Sequence, residues 1–326
     1  VGQVLENEGY KADLVSHFGS MNAAGIETIV CIRFPNGKRG DNNYKRDRVP
    51  KGDDATETIE MVKQFLLEMD TVIDYYQLQN EPIGGPGFYL DSIDGQPVFD
   101  GEGGFGWLET LASEIRAFID DEGLKIKLVT PGITGVEFAY DDMARFEKYT
   151  TLDGDVVEGN HVPYAIPEIV RIGRDYCDAI DIHLNVAGLE ELKNNIAYVD
   201  SVRTALGAED IPFTTTEWNQ AKELQDKIND KTHRYHDLIV RAIKEPVHYD
   251  QWIAFMNELG YDTTFIPESF AYLEELDFVH ACYNGISDSK DNLIFLVVAL
   301  YPMHTVHRGE NLLPNEPFYS LFKSIR

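Results

Sequence analysis

Two glutamates stand where short apolar stretches of the chain give way to loops. Glu81 lies at the end of IDYYQLQNEP, and Glu217 follows PFTTT. Two carboxyl groups facing one substrate can cleave a glycosidic bond, because one protonates the leaving oxygen while the other attacks or activates water. Unequal burial and mutual repulsion drive the pKa values of two such acids apart, which supplies one protonated and one ionised group. Taken alone, a glutamate at a strand end is more often a solvated or ion-paired residue than a catalytic one.

The stretches that must position these acids alternate between helical and extended patterns. Helical spacing of apolar residues predicts helices within 13–24, 54–69, 107–119, 189–202, 233–243, 267–276 and 317–325. Short apolar runs predict buried strands at 27–34, 72–79, 124–130, 177–184, 211–216 and 278–283. Strands separated by helices are typical of parallel βα units, so a doubly wound sheet and an α/β barrel both fit. No Gly-x-Gly-x-x-Gly sequence opens a helix after the first strand, which disfavours a dinucleotide site.

Binding residues are expected at the carboxyl ends of the predicted strands, because the loops of a parallel α/β fold converge there. Asn80 precedes the first acid, and its amide can hydrogen-bond a sugar hydroxyl. Trp218 follows the second acid and offers an apolar face on which a sugar ring can stack. The other candidates at strand ends are Arg33, His183, Asn185, Asn219 and Tyr283.

Side-chain alternation along the predicted strands places further polar residues beside the two acids. Gln77 and Gln79 are expected on the face of Glu81, and Thr215 on the face of Glu217. Polar residues on that face suit the inside of a barrel.

Together the two motifs resemble those of the retaining glycoside hydrolases of clan A, whose TIM barrel carries an Asn-Glu-Pro acid/base motif at strand four and a nucleophilic Glu at strand seven. QLQNEP at 77–82 is similar to the first motif, which implies the acid/base role for Glu81. TTTEWN at 214–219 is similar to the second motif, which implies the nucleophile role for Glu217. Its Thr-Glu-Trp-Asn form looks most like the β-xylosidase and α-L-iduronidase family, glycoside hydrolase family 39. DIHLN at 181–185 falls on the intervening strand, where clan members often place a His or Tyr near the nucleophile.

The resemblance implies a retaining glycosidase that acts on an oligo- or polysaccharide without a cofactor, with residues 1–326 forming one TIM-barrel domain. If the strands near 72, 124, 177 and 211 are the fourth to seventh, the strand at 27–34 is the third. We therefore expect the first two barrel strands to be absent from this chain, which would leave open sheet edges. The clan's strand-two Arg cannot be located, and Tyr283 stands where a Trp often ends strand eight, so the resemblance leaves the sugar open.

The composition is that of a folded, acidic protein. The chain of 326 residues carries 56 acidic and 28 basic side chains, a formal net charge of −28, with 43% hydrophobic residues. This charge would repel a phosphate backbone, so nucleic acid is disfavoured as a partner. No apolar run approaches the length of a membrane span. The acidic surface suits an extracellular or periplasmic protein, although no signal peptide is visible, and the oligomeric state stays open.

Metal and disulfide chemistry are both disfavoured by the sequence. The histidines show neither an HExxH motif nor another paired-ligand spacing. Four acids of a Gly-rich segment lack the EF-hand pattern of a calcium site, namely Asp91, Asp94, Asp100 and Glu102. The three cysteines, Cys31, Cys177 and Cys282, lie in predicted strands and are expected to be buried core residues.

Two other functions remain open beside the glycosidase. One is a glycan-binding protein on the same scaffold that has lost turnover. The other is an unrelated barrel enzyme that uses the two glutamates as metal ligands.

Overall fold

The chain divides into two compact units. The structure is a computed structural model that describes residues 7–32, 53–83, 91–93, 96–98, 105–140, 147–150, 156–159, 162–220 and 264–283. The first unit comprises Val1–His183 and Ala197–Thr214, and the second comprises Leu184–Ile196 and Thr215–Arg326. The single domain expected over 1–326 stays a prediction. Among the described helices, none combines the length and the apolarity that crossing a bilayer requires.

Helices and strands alternate along the first unit. Its helices are α1 (Glu8–Ala23), α2 (Asp53–Met69), α3 (Phe105–Glu122), α4 (Glu137–Tyr140) and α5 (Val162–Tyr176). Its strands are β1 (Ile29–Cys31), β2 (Tyr75–Gln77), β3 (Asp91–Ile93), β4 (Gln96–Val98), β5 (Lys127–Val129), β6 (Glu147–Thr150), β7 (Val156–Gly159) and β8 (Ile180–Asp181). β3 with β4 and β6 with β7 form short antiparallel pairs.

The second unit shares two elements with the first. Its chain order is β9 (Leu184–Asn185), α6 (Leu189–Ala205), β10 (Phe213–Asn219), α7 (Phe265–Glu275) and β11 (Ala281–Tyr283). α6 begins in the second unit and ends in the first, whereas β10 begins in the first unit and ends in the second. Within the second unit, β10 pairs in parallel with β9 and with β11.

The sheet of the first unit is parallel, as the alternating pattern predicts. β2 pairs with β1 on one side and with β5 on the other. Parallel bridges join Val129 to Ala179 and Ile133 to Ile182, and β8 pairs with the first two residues of β10. The order of neighbours is therefore β1, β2, β5, β8 and β10. Parallel neighbours need a crossover connection, and α2, α3 and α5 supply three of these, which confirms an α/β architecture built from βα units.

A closed barrel is not formed by the strands that the structure describes. The TIM barrel and the absence of its first two strands therefore stay predictions. What is established is a set of parallel strands whose carboxyl ends lie at one edge of the sheet in the first unit.

Apolar residues at helical spacing form the core of the first unit. α3 packs against α2 and α5. Buried side chains include Val62, Phe65, Leu66 and Met69 on α2, Leu108, Leu111, Ile115 and Ile119 on α3, and Ile166, Ile169 and Val170 on α5. Each such side chain contributes about 1.5–3 kcal/mol relative to an exposed one, so these helix faces hold the sheet in place.

Two described helices were not predicted from the sequence, the four-residue α4 and the longer α5. The sequence of α5, VPYAIPEIVRIGRDY, contains two prolines, and Pro167 lies inside the helix. A proline interrupts a helix through its missing N–H and its ring, but the first turn tolerates it, and α5 buries seven residues at helical spacing. Burial of this apolar face outweighs the local cost of the proline.

The remaining predictions concern the burial of the cysteines and segments that lie outside the described residues. Cys177 is buried as expected, but Cys31 is only half-buried and Cys282 is exposed, so the expectation for these two was wrong. The helices predicted at 233–243 and 317–325 lie outside the described residues, as do Asp94, Asp100 and Glu102.

Candidate functional site

Glu81 lies beyond the carboxyl end of β2 in a strained backbone conformation. Its φ is 30°, in the left-handed region that side chains other than glycine rarely adopt. Such a conformation costs on the order of 1–3 kcal/mol and persists only where the surroundings fix it. The Glu81 side chain is 30% exposed, so its carboxylate is accessible from solvent.

His183 is the side chain that holds the Glu81 carboxylate. Its Nδ1 lies 2.9 Å from Glu81 Oε1, and its side chain is fully buried. The His183 backbone N–H donates to the Ile133 carbonyl at 2.8 Å, which fixes the residue beside β5. His183 therefore contacts the predicted acid/base, and the position near the nucleophile that the clan resemblance implies for it stays a prediction.

A second carboxylate lies beside the other nitrogen of the histidine ring. Asp181 Oδ2 lies 3.3 Å from His183 Nε2, and the Asp181 side chain is fully buried. Gln77 Nε2 donates to the same Asp181 oxygen, and the Asp181 backbone N–H donates to Thr130 Oγ1 at 2.9 Å. We call Gln77, Glu81, Asp181 and His183 the histidine cluster. Both imidazole nitrogens therefore face carboxylates of the first unit.

A glycine makes room for the histidine ring. A Cβ built on Gly132 would lie 2.2 Å from His183 Nε2 and 2.6 Å from its Cδ2 and Cε1. The Gly132 backbone N–H donates to the Gln79 carbonyl at 3.2 Å, so the chain cannot easily retreat from the ring. Only a residue without a Cβ allows this approach.

Two amides lie beside the histidine cluster. The backbone N–H of Asn80 donates to Gln79 Oε1 at 2.9 Å, and Gln79 is buried with its Nε2 unpaired among the described residues. The half-buried Asn80 side chain makes no hydrogen bond with the described part of the chain. The predicted hydrogen bond of this amide with a sugar hydroxyl stays a prediction.

Glu217 has amide neighbours in the second unit. Asn185 Nδ2 donates to Glu217 Oε2 at 3.3 Å, and Asn219 Nδ2 donates to Asn185 Oδ1 at 2.6 Å. Glu217 is half-buried, whereas Asn219 is fully buried. We call Asn185, Glu217 and Asn219 the asparagine cluster. Its amide N–H favours the ionised form of the carboxylate it contacts.

The simple alternation expected along β10 is interrupted. The register with β11 shifts between Thr215 and Trp218, so strand period alone does not assign a face to Glu217. Thr215 Oγ1 instead donates to the Glu217 backbone carbonyl at 3.1 Å.

Three of the predicted sugar-binding residues are buried. Trp218 is fully buried, and its ring centroid lies 6.1 Å from that of Phe265. The predicted stacking of a sugar on Trp218 does not fit this burial, because the indole has no exposed face. His183 and Asn219 are also buried and contact other protein groups, whereas Asn80 and Asn185 are half-buried.

The last two predicted residues are not placed at side-chain level. Arg33 lies outside the described residues. Only the backbone of Tyr283 is described. It lies in β11 and pairs with Trp218 of β10.

Three residues of the site were not assigned a role by sequence reasoning. Asp181 and His183 share one strand face, and that spacing could have identified Asp181. Gln77 was expected on the face of Glu81, but its contact with Asp181 joins two different strands. Gly132 carries no local signal, since its role depends on the ring that approaches it.

Burial and ion pairing shift pKa values elsewhere in the first unit. Burial raises the pKa of Tyr76, which precedes Gln77 on β2, well above its usual value. The hydrogen bonds from Arg171 lower the pKa of Glu109, against the opposing effect of partial burial. The Glu109–Arg171 pair joins α3 to α5 with contacts of 2.8 and 2.7 Å.

Comparisons with known proteins give weak structural likenesses. No protein-family model and no curated protein matches the sequence. Among solved structures, an endo-1,4-β-xylanase from Caldicellulosiruptor owensensis has a TM-score of 0.43 and 12% identity, over 85% of this chain and 71% of that chain. A family 51 α-L-arabinofuranosidase from Bifidobacterium longum has a TM-score of 0.36 and 14% identity, over 72% of this chain and 42% of that chain. An α-amylase from Lactobacillus plantarum has a TM-score of 0.31 and 7% identity, over 82% of this chain and 74% of that chain. Likeness at these values is too low to assign a fold or an activity to this chain.

Proposed function

We propose that the protein is a retaining glycosidase in which Glu81 is the general acid/base and Glu217 is the nucleophile. The observation that carries the proposal is the setting of the two motif acids. Each is half-buried toward the carboxyl end of a parallel strand, where His183 contacts Glu81 and Asn185 donates to Glu217.

The two settings suit the two roles. An imidazole at 2.9 Å can share a proton with Glu81, which must protonate the leaving oxygen and later take a proton from water. Amide donation to Glu217 stabilises a carboxylate, the form that attacks the anomeric carbon. The mechanism requires both carboxyl groups to act on one sugar, and Asn80 is the proposed donor to a sugar hydroxyl.

The fold and the substrate belong to the same proposal. A TIM barrel of clan A would bring the carboxyl ends of all strands to one face. The resemblance of TTTEWN to the β-xylosidase and α-L-iduronidase family supports an oligo- or polysaccharide substrate and leaves the sugar open, and the acidic composition supports an extracellular or periplasmic location.

Hydrolysis of a panel of 4-nitrophenyl glycosides tests the proposal. Glu217→Ala is expected to lower kcat/KM on a cleaved glycoside by a factor on the order of 10³ or more, because no other group replaces the nucleophile. Added azide should restore turnover in this variant by attacking the vacated face, giving a glycosyl azide of inverted configuration. Wild-type product should keep its anomeric configuration by proton NMR.

Glu209→Ala is the matched control, because Glu209 is an exposed acid shortly before β10. It should retain wild-type activity. Full activity of Glu217→Ala would overturn the proposal. Saturable glycan binding without hydrolysis would favour the glycan-binding protein, and loss of wild-type activity with a chelator would favour the metal enzyme.

A further inference from the structure

The histidine cluster contains two carboxylates, Glu81 and Asp181, although only Glu81 is the proposed proton donor. His183 lies between two carboxylates of the first unit, with Nδ1 at 2.9 Å from Glu81 and Nε2 at 3.3 Å from Asp181. Only Glu81 is reachable from solvent, since the Asp181 and His183 side chains have no exposed surface. Asp181 therefore cannot contact a substrate, and its action must pass through His183.

Burial makes the Asp181 charge effective. A carboxylate in a low-dielectric interior interacts strongly with its neighbours and is costly unless hydrogen-bonded. Gln77 and the imidazole both contact Asp181 Oδ2, and the strand holds the residue through Thr130. The hydrogen bond at one imidazole nitrogen decides the state of the other.

Packing also fixes where the imidazole lies. Gly132 lies against the face of the ring, at a distance that no Cβ could occupy. The ring therefore cannot turn away from either carboxylate without moving the backbone beside β5.

We propose that Asp181 is a positioning residue that keeps His183 protonated and thereby sets the pH at which Glu81 gains and loses its proton. The role of Glu81 rests on the proposed function, whereas the protonation of His183 does not. The Nε2–H stays on the imidazole facing the Asp181 carboxylate at 3.3 Å, and the second proton is shared between Nδ1 and Glu81 Oε1. In the first half-reaction Glu81 gives a proton to the leaving oxygen, and in the second it takes one from water, so the cluster returns to its starting state.

Nitrogen NMR of the imidazole rings tests the first half of this proposal without any substrate. The protein has nine histidines, and the spectrum of His183→Gln identifies the missing signal. In wild-type protein His183 should stay protonated above the ordinary imidazole pKa of about 6.5. In Asp181→Asn the midpoint of its titration should fall by about one pH unit or more, because a neighbouring opposite charge is removed.

Asp121→Asn is the matched control, since Asp121 is an exposed carboxylate on α3. It should leave the His183 titration unchanged. A neutral His183 in wild-type protein near neutral pH would overturn the proposal, and this measurement decides the matter even if Asp181→Asn does not fold. An unchanged midpoint in a folded Asp181→Asn would overturn it as well.

The pH profile of glycoside hydrolysis tests the second half. In Asp181→Asn the high-pH limb of kcat/KM should move to higher pH, because a neutral imidazole stabilises the Glu81 carboxylate less than an imidazolium does. His183 and Glu81 thus respond in opposite directions. A loss of rate with both limbs unmoved would show a purely structural role. If the wild-type protein hydrolyses no glycoside, the proposed function fails while the His183 titration still decides the role of Asp181.

Discussion

The two glutamates both lie toward the carboxyl ends of parallel strands but differ in what surrounds them. Glu81 belongs to the histidine cluster, where its carboxylate contacts the buried imidazole of His183, which in turn lies beside the buried carboxylate of Asp181. Glu217 belongs to the asparagine cluster, whose donors are amides that do not titrate. In the proposed glycosidase one carboxyl must exchange a proton and the other must stay ionised, and these different partners suit those two roles.

The backbone conformations of the two glutamates also differ. Glu81 adopts a φ of 30° beyond the end of its strand, whereas Glu217 lies within β10. Strain at the first acid has to be held by contacts such as the one with His183, while the strand itself holds the second. We therefore expect the histidine cluster to be the more sensitive of the two to changes in packing.

The largest effect is expected from Gly132→Ala. The added Cβ would fall 2.2 Å from His183 Nε2, so the ring or the backbone must move. Overpacking of this kind costs about 1–3 kcal/mol in the free energy of unfolding, measured by chemical denaturation. The His183 signal in nitrogen NMR should shift in the same variant.

Gly188→Ala serves as its control, because nothing lies within 4 Å of a Cβ built on Gly188. It should leave the free energy of unfolding the same or slightly higher. Equal stability of Gly132→Ala and wild-type protein would remove the argument that packing fixes the ring.

A smaller effect is expected from Asn219→Leu in the asparagine cluster. The substitution removes the donor to Asn185 Oδ1 and leaves a polar atom without that partner, which costs about 1–2 kcal/mol of stability. Because no titratable group is lost, the pH limbs of activity should not move even if the rate falls. A shifted limb would contradict the contrast between the two clusters.

Asn194→Leu on the exposed side of α6 is the matched control for that change. A surface substitution of this kind should stay within about 0.5 kcal/mol of wild-type stability. Stability can be followed by urea denaturation at constant pH.

The smallest effect is expected from Glu109→Gln, which removes an ion pair that is open to water. Arg171 lowers the pKa of Glu109 in the folded protein, so the pair stabilises the fold above the unfolded glutamate pKa. Because the Glu109 side chain is 34% exposed, solvent screening limits its contribution to about 0.5–1 kcal/mol near neutral pH. The difference between variant and wild type should vanish as the pH falls through the depressed pKa of Glu109.

Glu122→Gln, on the same helix and without an ion-pair partner among the described residues, should show no loss at any pH. A stability loss for Glu109→Gln that persists in acid would mean that packing, and not the ion pair, is responsible. Such a result would also weaken the contrast between exposed and buried charges in the first unit.

Much of the fold follows from local pattern. Helical spacing located α2, α3, α6 and α7, and short apolar runs located the parallel strands of the first unit, because burial of one face imposes a period on the sequence. α5 did not follow, since proline content disfavours a helix locally while its packing against α3 favours it. The parallel strands of the first unit are also shorter than the apolar runs that predicted them. The reason is that fewer residues pair with a neighbouring strand than are buried.

The sequence by itself placed Glu81, Glu217, Asn80 and Asn185 toward the carboxyl ends of predicted strands and so identified them as candidates. Residue type and period are local properties of the chain, and they suffice for that step. Only the tertiary structure decided the partner of each acid: His183 for Glu81, Asn185 for Glu217, and buried Asp181 behind the histidine. It also buried Trp218 and placed Gly132 beneath an imidazole, because contacts between distant segments depend on how the strands pair and carry no period in the sequence.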